Sequence, residues 1–121
     1  MIRDNKIKDL ERDLMHEVGL SSIQAKAYLW VNVYGRMDAH KISRELNVTY
    51  SEAQDAAESL IALGGFIEYG ESEYEAMHPR FTAVNMYRRK CERLNVPFAR
   101  NKTVDNIGAV LEESYDSART K

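Results

Sequence analysis

Cysteine, proline and long apolar runs are the scarce features of this chain. Its 121 residues hold one cysteine, Cys91, and two prolines, Pro79 and Pro97. A lone thiol excludes an internal disulfide and points to a reducing cytoplasm. No Cys or His stands beside Cys91 at metal spacing, and His16, His40 and His78 fall on separate stretches, as surface or cap residues. No metal, cofactor or catalytic centre is therefore expected, and the chain does not read as an enzyme. No glycine loop is built to cradle a phosphate, and Gly64-Gly65 reads as a helix stop. No apolar run approaches the roughly 18 residues of a membrane span. The start, M-I-R-D-N-K-I-K-D-L, is too charged for a signal peptide.

Positive charge is missing over a whole central stretch. Residues 47–77 carry Glu52, Asp55, Glu58, Glu68, Glu71, Glu73 and Glu75 without one lysine or arginine. Residues 78–102 reverse the balance, with Arg80, Arg88, Arg89, Lys90, Arg93, Arg100 and Lys102 against Glu92 alone. A net charge of −2 hides this separation. Three readings of the basic run stay open: a solvated helix face, a surface for phosphates or an acidic partner, or a complement to the acidic stretch of a second protomer. With 44% hydrophobic residues, the chain is expected to fold around one modest core.

What is present is a series of capped helices. Ile7, Leu10, Leu14 (or Met15) and Val18 keep helical spacing over residues 4–18, and Gly19 ends that helix. Ser21 with Gln24 forms a capping box for a second helix that Gly35 closes. Ala25, Tyr28, Leu29 and Val33, with Trp30 or Val31, make it the helix expected to be most buried. The central stretch runs from Asp38 to Gly65. Asp38 caps a short helix, Asn47 suits the left-handed residue that ends it, and Thr49 with Glu52 boxes the next. Ile42, Leu46, Val48, Ala53, Ala57, Leu60 and Ile61 form one apolar seam between the two. This is the layout of a helix-turn-helix. Next, F-I-E-Y-G-E-S-E-Y-E-A-M alternates apolar with acidic residues around Gly70-Glu71-Ser72, the pattern of a two-stranded hairpin. The fold expected is mainly α with a small β-hairpin, a winged helix-turn-helix with additional C-terminal helices. The alternative is a helical bundle with a loose loop.

Pro79 suits the first turn of a further helix, with Phe81, Val84, Tyr87, Cys91 and Leu94 along one side. Cys91, although beside Arg88, Arg89 and Lys90, is thereby read as a packed thiol. Thr103 is read as the cap of a last helix striped by Val104, Ile107, Leu111, Tyr115 and Ala118. Two units follow: a winged-helix domain over 1–78 and a helical extension over 79–121. The extension either folds back on the domain or dimerises through Tyr87, Leu94, Val104, Ile107, Leu111 and Tyr115.

The runs G-L-S-S-I-Q-A-K-A-Y-L, G-R-M-D-A-H-K-I-S-R-E-L-N-V-T, G-G-F-I-E-Y and Y-E-A-M-H-P resemble the N-terminal winged helix of the TrmB family of archaeal transcription regulators. The likeness covers residue 19 to about residue 80 and rests on Gly19, Leu20, Ala25, Tyr28, Gly35, Ile42, Leu46, Gly65, Ala76 and Pro79. Most of these keep a fold rather than a function. Gln24 replaces the family's usual Glu, and either completes the cap. The family's sugar-sensing C-terminal domain has no counterpart after the wing, so no sugar effector is expected. The recognition helix also departs from the family by opening with acidic residues.

The resemblance and the scaffold imply a DNA-binding transcription regulator acting on double-stranded DNA, as a homodimer, in the cytoplasm. Tyr50, Ser51 and Gln54 are the expected base-facing residues, and Arg36, His40, Lys41 and Arg44 the expected backbone contacts. The acidic stretch opposes this reading, because DNA affinity comes largely from Lys and Arg at phosphates. The alternative is a protein-interaction module that offers its acidic recognition-helix and wing face to a basic or transcription-machinery partner.

Overall fold

Caps set the boundaries of the elements over residues 3–120, which the computed structural model describes. Helix α1 (Asp4–Asp13) runs into a π-helical turn, Leu14–Val18, that Gly19 ends in the left-handed region at φ 82°. The extra residue in that turn was not legible from spacing alone. It keeps Leu14, Val18 and Leu20 inside while Met15 faces out. In α2 (Ser22–Tyr34) the Ser21–Gln24 box is complete in both directions. This helix is buried on most sides, Val31 fully and Trp30 in part.

Strand β1 (Met37–Asp38) leads directly into α3 (Ala39–Leu46), where the Asp38 carboxylate accepts the Lys41 N–H at 2.8 Å. Asn47 adopts φ 56° at the end of α3, and the Thr49–Glu52 box opens α4 (Tyr50–Leu63). Ile42, Ala53, Ala57 and Leu60 are fully buried between them, with Leu46, Val48 and Ile61 packed against that core. Gly64 ends α4 at φ 92°. Gly65 serves a different purpose, since a Cβ there would come within 2.7 Å of the Met86 sulfur.

The hairpin forms as β2 (Ile67–Tyr69) and β3 (Glu73–Glu75), antiparallel, with Glu68 opposite Tyr74. A third strand was not foreseen: β1 pairs with β3, Met37 opposite Tyr74 and Asp38 opposite Glu73. Two residues are too few to show an alternation, and they lie where Asp38 is also needed as a cap. The pairing ties the ribbon to the start of α3 and turns Tyr74 and Met37 inward.

Helix α5 (Pro79–Arg93) starts at Pro79 as expected, but its inner face differs. Thr82, Ala83, Met86 and Cys91 are buried, while Phe81 and Leu94 are 51% and 60% exposed. Thr82 bonds the buried Tyr28 hydroxyl at 2.6 Å. Helices α5 and α6 (Lys102–Arg119) cross closely. A Cβ at Gly108, in α6, would fall 2.6 Å from the Arg80 Cα. Asn101, not Thr103, caps α6, its Oδ1 accepting the N–H groups of Thr103 and Val104 at 3.0 and 3.1 Å.

The stripe on α6 corrects the expected dimer surface. Val104, Ile107 and Leu111 are buried in the chain's own core, where α6 lies against α1, α2 and α5. Tyr115 is half-buried and donates its hydroxyl to the Ala76 carbonyl at 2.7 Å. A winged helix with a three-strand ribbon leaves α2 uncovered on one side, and α6 covers it. Of that expected set, Leu94 is exposed and Tyr87 half-buried. At the end of α6, Arg119 donates to the Val31 and Asn32 carbonyls of α2 and to Glu75 of β3, fastening the ribbon to the last helix.

Candidate nucleic-acid interface

Helix α4 presents its first turn to solvent because its inner positions, Ala53, Ala56, Ala57 and Leu60, are held by the core. Tyr50, Ser51 and Gln54 are all exposed there, Tyr50 at 43%. The Tyr50 ring is tilted against that of His40 of α3, with centroids 4.4 Å apart. Lys41 and Arg44 project from α3 and are exposed. Arg36 lies elsewhere, over the Tyr69 ring at 4.1 Å and 3.4 Å from the Glu73 carboxylate. The fold thus brings Tyr50, Gln54 and His40 together and leaves Arg36 bound to the ribbon.

Between α4 and the ribbon runs a cleft of about 370 Å³. Asp38, His40, Tyr50, Gln54, Glu58, Glu68, Glu71, Ser72, Glu73 and Tyr74 line it, without a lysine or arginine. The Tyr74 hydroxyl donates to the Glu58 carboxylate at 2.6 Å. Burial first, and then the Glu58 carboxylate, push that hydroxyl well above the ordinary tyrosine range. Neither the cleft nor the Tyr74–Glu58 bond was visible in the sequence. The alternation of β2 and β3 gave the strands, but not how far the ribbon leans toward α4.

Much of the basic run of residues 78–102 is engaged away from this cleft, Arg89 at the other end of α4. Arg89 donates to the Ala62 carbonyl at 2.8 Å, and Lys90 to the Glu17 carbonyl at 2.8 Å. Both therefore satisfy helix C-terminal carbonyls that lack partners of their own. Arg80 pairs with Glu112 at 3.0 Å and Arg100 with Asp105 at 2.9 Å, while Arg88 lies over Phe98. Since α4 has 14 residues and an α-helix rises about 1.5 Å per residue, the two poles lie about 20 Å apart.

His78, Glu112 and Asp116 bring ligand atoms within 4.8 Å of one another. The Arg80 guanidinium holds the Glu112 carboxyl below its ordinary range, first by hydrogen bonding. His78 Nδ1 accepts the Arg80 N–H at 3.2 Å as the cap of α5. These contacts bind the helix start to α6 and occupy His78 Nδ1 and Glu112 Oε1. Among the described residues, no helix is long and apolar enough to cross a membrane.

A family model described as sugar-specific transcriptional regulator TrmB matches residues 14–86. No curated protein and no solved structure matches the chain. The matched residues run from the π-helical turn through the helix-turn-helix and ribbon into α5, the elements that expose Tyr50, Ser51 and Gln54. A match over more than half of the chain, on the elements that form a winged helix, places this protein in the TrmB family of transcription regulators, whose winged-helix domain binds DNA.

Proposed function

We propose that this chain is a transcription regulator that reads duplex DNA with its winged helix-turn-helix, as a homodimer, in an archaeal cytoplasm. The observation that supports this reading is the exposed first turn of α4 on a rigidly seated helix. Gln54 is suited to bidentate pairing with adenine, and Tyr50 and Ser51 to bases or phosphates. Lys41 and Arg44 supply the phosphate contacts, with His40 beside them and Arg36 released from Glu73 on contact.

The test is anisotropy of a labelled duplex, selected from a random library, over 50–200 mM salt. Affinity falls by about 0.9 log units per log unit of salt for each phosphate neutralised. Lys41→Ala and Arg44→Ala should each lower that slope by about 1 and weaken all sequences alike. Gln54→Ala should keep the slope and lose about 1–3 kcal/mol of sequence discrimination. No binding at the lowest salt sinks the reading.

Homodimerisation is proposed through Tyr87, Leu94 and Phe98, which stay accessible once α6 is folded in; Leu94 is 60% and Phe98 49% exposed. Leu94→Asp with Phe98→Asp should halve the mass by light scattering and leave the circular dichroism unchanged. An unaltered mass refutes this surface. A second reading, a protein-interaction module for a basic or transcription-machinery partner, is favoured by the cleft between α4 and the ribbon, which holds no lysine or arginine.

A further inference from the structure

We propose that the cleft between α4 and the ribbon takes an arginine side chain from a basic segment of another protein, and that this occupant displaces DNA from the same face. The displacement rests on the reading that Tyr50 and Gln54 face DNA, since both residues also line the cleft.

Charge complementarity identifies the occupant. Asp38, Glu58, Glu68, Glu71 and Glu73 line the cleft with no lysine or arginine among its lining residues, and Arg36, outside it, offsets Glu73. The Glu68 and Glu71 carboxylates are exposed and, among the described residues, take part in no side-chain hydrogen bond or ion pair. A compact metal ion is a poor match for this spacing. The ligand atoms that converge to within 4.8 Å among the described residues belong to His78, Glu112 and Asp116, not to the cleft. Dispersed carboxylates suit a forked, planar cation that spans several of them. The Tyr50 ring, tilted at 35° against His40, offers the aromatic face on which a guanidinium rests.

The ribbon already shows this recognition on its other side. The chain's own Arg36 lies over Tyr69 and against Glu73, combining a ring face with a carboxylate. The cleft repeats the combination with Tyr50 and the acids of α4 and β2, but without a cation of the chain in it.

The probe is a fluorescein-labelled Gly-Arg-Ala-Arg-Gly-Arg-Ala peptide titrated with the full chain at 100 mM salt. Glu68→Gln with Glu71→Gln should weaken it at least tenfold. Glu92→Gln with Glu113→Gln, an equal loss of charge elsewhere on the surface, should change it less than twofold. Equal losses from the two pairs, or no binding to the unaltered chain, overturn the proposal. So does displacement by millimolar Mg²⁺ beyond that of sodium chloride at matched ionic strength, which makes the cleft a cation site. A lysine version of the peptide should bind several-fold more weakly, and equal binding overturns the preference for arginine.

The DNA arm is separate. Adding the peptide to a preformed duplex complex should release the duplex, while release that survives the Glu68→Gln, Glu71→Gln change overturns the exclusion. A chain that binds duplex but not peptide retains the regulator reading and loses this inference. Peptide binding without any duplex binding does the reverse: the cleft stands and the regulator reading falls.

Discussion

Leu111→Glu is expected to unfold the chain at ordinary temperature. Leu111 is completely buried on the face of α6 that covers α2. Truncating such a leucine costs about 2–5 kcal/mol through lost transfer energy and the cavity left behind. Glutamate adds a carboxylate with no partner, which must be desolvated or protonated in place. The sum takes up most of the roughly 5–15 kcal/mol that holds a domain of this size together. Thermal melting followed by circular dichroism should show no cooperative transition for Leu111→Glu, and a lowered midpoint for Leu111→Ala. A folded Leu111→Glu chain with an unchanged melting midpoint and half the mass would restore Leu111 to a dimer interface.

Reversing the charge of the ribbon should strengthen duplex binding. Glu68 and Glu71 lie beside the exposed first turn of α4. Replacing both with lysine removes two repulsions and adds two attractions. Each is worth about 0.3–1 kcal/mol by analogy with exposed pairs. The gain of about 1–4 kcal/mol corresponds to roughly fivefold to nine-hundred-fold in affinity at low salt. It should fade as the screening length contracts to about 8 Å at physiological salt. The salt slope should steepen by up to about 1.8 if both lysines meet phosphates. Anisotropy titrations at three salt concentrations measure both effects. Unchanged affinity and slope would mean that the ribbon stays away from the duplex, and the DNA-reading geometry would have to be abandoned.

These two substitutions divide the molecule between what is written locally and what is not. The sequence by itself determined most helix boundaries where a cap is a local matter, the exception being α6, capped by Asn101 and not by Thr103. Ser21 with Gln24, Asp38, Thr49 with Glu52, and Pro79 act within four residues of themselves, and each lies where the spacing placed it. The hairpin was equally legible, since alternation around Gly70 needs no distant partner. The exposure of Tyr50, Ser51 and Gln54 followed from the seam of Ala53, Ala57 and Leu60 on the opposite side of α4.

Only the tertiary structure decided which apolar stripes were surplus. On α5, hydrophobicity alone selects Phe81 and Leu94, yet Thr82 turns inward to the Tyr28 hydroxyl of α2, and Ala83 and Met86 into the core. On α6 an apolar stripe has the same pattern whether it covers its own chain or a partner, and the open side of α2 settles the matter. The acids Asp38, Glu58, Glu68, Glu71 and Glu73, scattered along the sequence, line one cleft only when β1 pairs with β3 and the ribbon lies beside α4. Likewise Arg89 and Lys90, an apparent basic patch, become caps because α5 crosses the ends of two earlier helices. Caps and turns draw on neighbours in sequence, whereas a partner for a face or a charge is set by which elements the whole fold brings together.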